Sequence, residues 1–339
     1  MRRNSPTGMV NITGRLLLAA ASCAVVIVGC PTRAAFAAGG DEYPTRPIRI
    51  VVPFVAGTQL DLAARLVGSH LADAMGQAVV VDNRPGASGN IGSEVVAKSA
   101  PDGYTLLMTG SLITLLPSTA PAGAVDPVAA FAPVTKLGRL PLLIVVNPSL
   151  GVRTLPELIA LARSRPGAIA YATQGVGSTA HLSATMLSRQ AGIELLHVPY
   201  PIATKALQDV LSGEVPVYFT YLGSVESLLR GGQLRVLAVA SAKRISTWPD
   251  VPTLADLGYQ SAVVDPWNGL LAPADTPPEI LDRLHREISR IVQRSDVREN
   301  LLIMGMEPMT TPPAEFATEI KMLTARWPAI VKDAGIRRE

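Results

Sequence analysis

The chain has 339 residues, 30 Lys and Arg against 27 Asp and Glu, and a formal net charge of +3. Four of the cations (Arg2, Arg3, Arg15, Arg33) and both cysteines (Cys23, Cys30) fall within the first 37 residues, which hold no acid. Setting those four aside leaves 26 cations against 27 acids, which excludes the concentrated positive face of a nucleic-acid binder. It also leaves no cysteine for a disulfide, a thiolate nucleophile or a cysteine metal site.

Residues 1–37 read as an export leader, with a basic start, an apolar run over 16–28 and the small-x-small sequence Ala35-Phe36-Ala37. The apolar run is shorter than the roughly 18–20 residues of a membrane span, so a retained anchor helix is disfavoured. Cleavage is expected before Ala38, which places the mature protein outside the cytoplasm. The segment Ile27-Val28-Gly29-Cys30 resembles a lipobox, and lipid anchoring through Cys30 is the alternative to soluble export.

From Tyr43 onward, short β-branched runs alternate with segments of helical period, the pattern of an α/β fold with largely parallel strands. Strands are predicted at 47–54, 78–82 and 104–108, with helices at 58–75 and 91–99 between them. In the helix at 58–75, Leu60, Ala64, Val67, Leu71 and Met75 recur at three- and four-residue spacing. A strand at 142–146 opens the middle of the chain, and Thr154 with Glu157 predicts a capping box for a helix to about 162. Strands follow at 168–173, 193–198, 215–219 and 234–240, with helices at 181–190, 204–211 and 224–229. The last part carries helices at 278–293, 296–304 and 313–333. The strands at 142–146 and 234–240 bracket a block of about ninety residues, which predicts a discontinuous domain 1 (41–143 and 237–339), an inserted domain 2 (144–236) and a hinge between them.

Three strand exits carry Gly with Ser or Thr: Gly57-Thr58 with Asp61 on the helix behind, Thr109-Gly110-Ser111, and Gly175-Val176-Gly177-Ser178 running into His181. In open α/β sheets such loops gather beyond the strand ends, where helix-start N–H groups attract carboxylate or phosphate. Plain helix capping is the competing reading for any one of them. Gly175 to Ala180 also fits the dinucleotide pattern G-x-G-x-x-A. That pattern needs an acid near the end of the next strand, and Glu194 opens the strand instead. No G-x-S-x-G elbow or H-E-x-x-H is present, and the four histidines form no evident catalytic set. The reading is therefore a non-enzyme without cofactor or metal. Tyr221 and Trp267 are candidate pocket walls, with core packing as the alternative.

Taken together, the stretches YPTRPIRIVVPFVAG, VVVDNRPGASGNIGSEVVAKSAPDGYTLLM, FAPVTKL, HVPY, GGQLRVLAVASAKR, WPDVPTLADLG, GLLAPADTPPEILDRL and VKDAGI resemble the substrate-binding receptors of tripartite tricarboxylate transporters, the Bug family. The resemblance implies a type II-like, two-domain Venus-flytrap fold that holds a small carboxylate, aliphatic or aromatic, in the interdomain cleft. It implies Gly57, Thr58, Asp61, Thr109, Ser111, Gly175, Gly177, Ser178 and His181 as ligand-binding positions. Its expected partners are the ligand and the membrane transporter subunits, with the receptor itself a monomer; a sensory binding protein is the alternative role. Gln59 and Leu60 stand where the family has small residues, and Thr220-Tyr221 where it often has an acid, which implies a less polar pocket.

Overall fold

The computed structural model describes residues 43–120 and 123–336; the predicted leader, with its cleavage site and Cys30, lies outside the described residues. Strand β1 (Ile48–Val52) feeds helix α1 (Gln59–Met75), followed by β2 (Val79–Asn83), α2 (Asn90–Ala97) and β3 (Thr105–Gly110). The periodic apolar positions of α1 become its buried face, with Ala64, Val67 and Leu71 packed on the strands. β1 pairs in parallel with β2 and β3, Ile50 lying opposite Val81 and Leu106. A 3-10 turn (Ser111–Leu115) and two short helices, α3 (Leu116–Thr119) and α4 (Pro127–Ala130), lead to β4 (Phe131–Arg139).

Only Leu140 and Pro141 separate β4 from β5 (Leu142–Val146), which belongs to a second sheet. There follow α5 (Leu155–Ser164), β6 (Ala170–Thr173), α6 (Thr179–Ala191), β7 (Leu196–Pro199), α7 (Ala203–Ser212), β8 (Val217–Tyr221), α8 (Leu222–Arg230) and β9 (Arg235–Val239). Thr154 caps α5 by accepting from the Glu157 N–H at 3.3 Å, but Glu157 reaches back to the Arg153 N–H, one residue outside the predicted box. The chain returns through 240–266 to β10 (Trp267–Pro273), α9 (Pro278–Gln293), α10 (Ser295–Ile303), β11 (Glu307–Pro308) and α11 (Pro313–Asp333). Strand order is β11-β4-β10-β3-β1-β2 in the first sheet and β7-β6-β8-β5-β9 in the second.

Strands β4 and β10 have no counterpart among the predicted elements. β10 is buried at every position, so its sequence does not alternate, and register shifts after Asn268 and Leu270 interrupt its pairing with β4. In β4, Pro133 and Gly138 mask the strand pattern. Trp267, predicted between elements, is the first residue of β10. Helix α11 ties the two sheets together: Phe316 and Ile320 pack in a cluster with Trp267, whereas Trp327 and Val331 pack with Ile144 and Phe219 of the second sheet. Among the described residues no helix is long and apolar enough to cross a membrane.

Candidate functional site

The loop from β1 to α1 turns at Gly57, whose φ of 82° lies in the left-handed region that glycine adopts without strain. Its N–H donates to Asp61 Oδ2 at 2.8 Å. Asp61, 2 % exposed, also accepts from Arg65 Nε at 3.1 Å and Asn83 Nδ2 at 3.0 Å, while Asn83 donates to Phe54 O. Burial pushes the Asp61 carboxyl up, but the bonds from Arg65, Gly57 and Asn83 outweigh it and hold it below the ordinary carboxylate value. The charge of Asp61 is therefore engaged in fixing the loop. Thr58 is the N-cap of α1, yet its hydroxyl donates back to Val55 O, so no side chain caps the helix.

The same absence of a cap recurs in the second sheet. Tyr221 ends β8 and is the N-cap of α8, again without a side-chain bond to the helix start. Burial raises the pKa of its hydroxyl, offset in part by the nearby Thr179 side chain. Between the starts of α1 and α8 lies a cavity of about 480 Å³, inside the roughly 300–1,000 Å³ typical of small-molecule sites. Thr58, Gln59, Thr109, Ser111, Ser224 and Asn268 supply polar lining; Phe54, Leu60, Ile113, Leu116, Trp267 and Met304 supply much of the apolar lining. Among the described lining residues there is no Asp, Glu, Lys, Arg or His. One side of the cavity is closed by a glycine pair: a Cβ on Gly223 of α8 would lie 2.9 Å from the Gly305 Cα, which follows α10 on the first sheet's side.

Of the predicted site residues, Thr58, Thr109, Ser111, Tyr221 and Trp267 meet in this cavity. Trp267 also packs edge-on against Phe316, with ring centroids 4.7 Å apart, so the pocket-wall and core readings both describe it. Gly57 and Asp61 lie outside the lining, Asp61 buried and Gly57 exposed. Gly175, Gly177, Ser178 and His181 follow β6, the parallel neighbour of β8, and lie outside the lining; α6, which this loop begins, packs against β8. Ser178 caps α6, accepting from the His181 N–H at 3.2 Å and donating to Gly175 O at 2.8 Å. His181 Nδ1 accepts from the Gly177 N–H, and its ring stacks on His197 at 4.0 Å. Burial lowers the pKa of His181; burial and then the adjacent His181 ring push that of His197 down to about 4.

Sequence reasoning missed the α8 start. Gly223-Ser224 after a strand is the same small-residue junction that marks the other exits, and it coincides with the start of the helix predicted at 224–229. Met304 and Gly305 carry no local signal. They reach the cavity only because α10 packs beside α1, where Gln59 Nε2 donates to Met304 O.

Comparison with known proteins agrees with this architecture. Residues 63–336 match the family described as tripartite tricarboxylate transporter family receptor. BugT of Bordetella pertussis is 37% identical over 303 residues, covering 88% of this chain and 92% of that protein. A solved structure of R. palustris Rpa4515 with adipate is 34% identical with a TM-score of 0.71, covering 88% of this chain and all of that one. A TctC solute-binding protein from Polaromonas, solved without ligand, is 27% identical with a TM-score of 0.79, covering 86% of this chain and 99% of that one. The two-sheet α/β arrangement is that of the periplasmic binding proteins. The chain belongs to the tripartite tricarboxylate transporter receptor family, a family of solute-binding receptors and not of enzymes.

Proposed function

We propose that this protein is an exported periplasmic receptor, working as a monomer, that captures a small carboxylate in the cavity between its two sheets and delivers it to a tripartite tricarboxylate-type transporter. The observation that carries the reading is that α1 and α8, one from each sheet, point starts without side-chain caps at one cavity. The first turn of a helix leaves N–H groups without intrahelical partners and the positive end of its dipole exposed. Two such starts, with Thr109, Ser111 and Ser224 between them, can hold a carboxylate without a cation. The capture of adipate by Rpa4515 supports the ligand class.

In this reading the crossing points at Leu140–Pro141 and in 240–266 form the hinge, so the inserted domain runs 142–239 and the predicted limits at 143/144 and 236/237 move out of β5 and β9. Closure brings the two helix starts onto the ligand. The loop from Gly175 to His181 supports the Tyr221 wall from behind. A thermal-shift screen of refolded, ligand-free protein tests the reading: a ligand at a hundred times its Kd stabilises by about 2.7 kcal/mol. Carboxylates are expected to raise Tm while sugars and amines do not; the reverse pattern would overturn the assignment.

A further inference from the structure

Helix α11 is anchored differently along its length. In its first half Phe316 and Ile320 belong to the buried cluster of Val51, Leu107 and Leu271 on the first sheet, and Glu319 pairs with Lys136 of β4. In its second half Trp327 and Val331 belong to the cluster of Ile144 and Phe219 on the second sheet. Arg326 donates to Val263 O at 3.0 Å and to Ser261 O, both in the returning segment 240–266. α11 is therefore a third crossing between the sheets, beside Leu140–Pro141 and 240–266. Between its two anchored halves the helix ladder has a gap: Pro328 has no N–H to give the Thr324 carbonyl. The Thr324 hydroxyl, in the same turn, is buried without a partner among the described residues. A proline in a helix interior marks where the helix bends.

Trp327, beside this gap, is tied to the cavity. Its Nε1 donates to Thr114 Oγ1 at 2.8 Å, and the Thr114 hydroxyl gives its single proton to Ser111 O at 2.7 Å. Both side chains are buried, so water does not compete for either bond. Ser111 lines the cavity, whereas none of the described lining residues comes from α11. Leu115, at the end of the same 3-10 turn, packs into the cluster on the second sheet. Resting on the carboxylate reading and its hinge closure, we propose that Thr114 and Trp327 are positioning residues, which couple a carboxylate held at Ser111 to the bending of α11 at Thr324–Pro328. A continuous helix anchored on both sheets resists their relative rotation. The proline joint lowers that resistance, and the Ser111–Thr114–Trp327 relay restores it when the cavity is occupied.

Hydrogen exchange read by mass spectrometry on refolded protein, alone and saturated with adipate, succinate or benzoate, tests the proposal. Without added acid, the amides of 324–332 are expected to exchange faster than those in the middle of α9, whose buried residues all pack on the first sheet. Pro328→Ala, at an exposed position, closes the ladder and is expected to slow them roughly tenfold. An acid that raises Tm is expected to slow the same amides in the parent well beyond its effect on α9. Thr114→Val breaks the relay and should abolish that extra slowing, whereas Thr114→Ser keeps the hydroxyl and should preserve it. Trp327→Phe, which removes the Nε1 donor and keeps an aromatic ring, replaces Thr114→Val if that variant does not fold. Extra slowing that survives in a relay variant which still binds the acid overturns the proposal. So does a parent α11 that responds no more than α9, or a Pro328→Ala variant that exchanges like the parent; each of these leaves the carboxylate reading standing. No rise in Tm with any of the three acids overturns the carboxylate reading, and this inference falls with it.

Discussion

Replacing Asp61 with Ala separates a loop-fixing role from a ligand-contacting one. The carboxylate holds the Gly57 N–H at 2.8 Å and Asn83 at 3.0 Å from a side chain that is 2% exposed. A hydrogen bond to a charged group contributes about 1.5–3 kcal/mol. Arg65 is half exposed, so its ion pair adds little. Allowing water to reach part of the vacated site, Asp61→Ala should cost about 3 kcal/mol, which for a chain of this size lowers Tm by roughly 5 °C. Urea denaturation and calorimetric melting of ligand-free protein measure the loss, and Asp61→Asn, which keeps an acceptor oxygen, should retain part of it. Ligand affinity should fall as a consequence of the released loop. A variant with parental Tm and no binding would refute the reasoning, because Asp61 would then act on the ligand directly.

Gly223→Ala should lower the stability of ligand-free protein by about 1–3 kcal/mol in denaturant unfolding, since the added Cβ meets Gly305 backbone that must shift, and the roughly 1 kcal/mol helix preference of Ala offsets only part of that cost. It should weaken binding, because the new Cβ would sit 2.9 Å from the Gly305 Cα on the other side of the cavity; parental affinity by calorimetry would show that this contact is absent from the bound state. Ser178→Ala removes the cap of α6 and should cost about 1 kcal/mol of stability by denaturant unfolding, with little effect on affinity. Acidification has a defined sign at His197: its folded pKa of about 4 lies below the unfolded value of about 6.5, so the unfolded chain takes up the proton first. Stability should be fully present above pH of about 6.5 and fall by roughly 1–2 kcal/mol, after discounting for partial exposure, as pH drops toward about 4. His197→Gln should flatten that slope in pH-dependent unfolding, and an unchanged slope would remove His197 as its cause.

Period and junction chemistry made most of the α/β alternation legible. The apolar face of α1 and the exits at Gly57-Thr58 and Thr109-Ser111 could be read because local sequence alone dictates them. β10 could not be, since a strand buried on both faces and broken by register shifts loses the alternation that identifies a strand. The site divides in the same way. Small residues at strand exits pointed to helix starts, but which start enters the cavity depends on tertiary placement: α6 is capped by its own Ser178 and stands aside, whereas α8 is uncapped and lines it. Asp61 was recognisable as a special residue near the pocket, yet its partner Asn83 comes from the end of β2, and only the fold reveals that the two hold the loop together.

The most direct test of the account is a crystal structure of the protein with a bound carboxylate. The account predicts the carboxylate oxygens within hydrogen-bond distance of backbone N–H groups at the starts of both α1 and α8, with hydroxyls of Thr109, Ser111 or Ser224 completing the contacts and no cationic side chain among them. A carboxylate bound instead by Arg or Lys, or seated in the Gly175 to His181 loop away from α1 and α8, would contradict it.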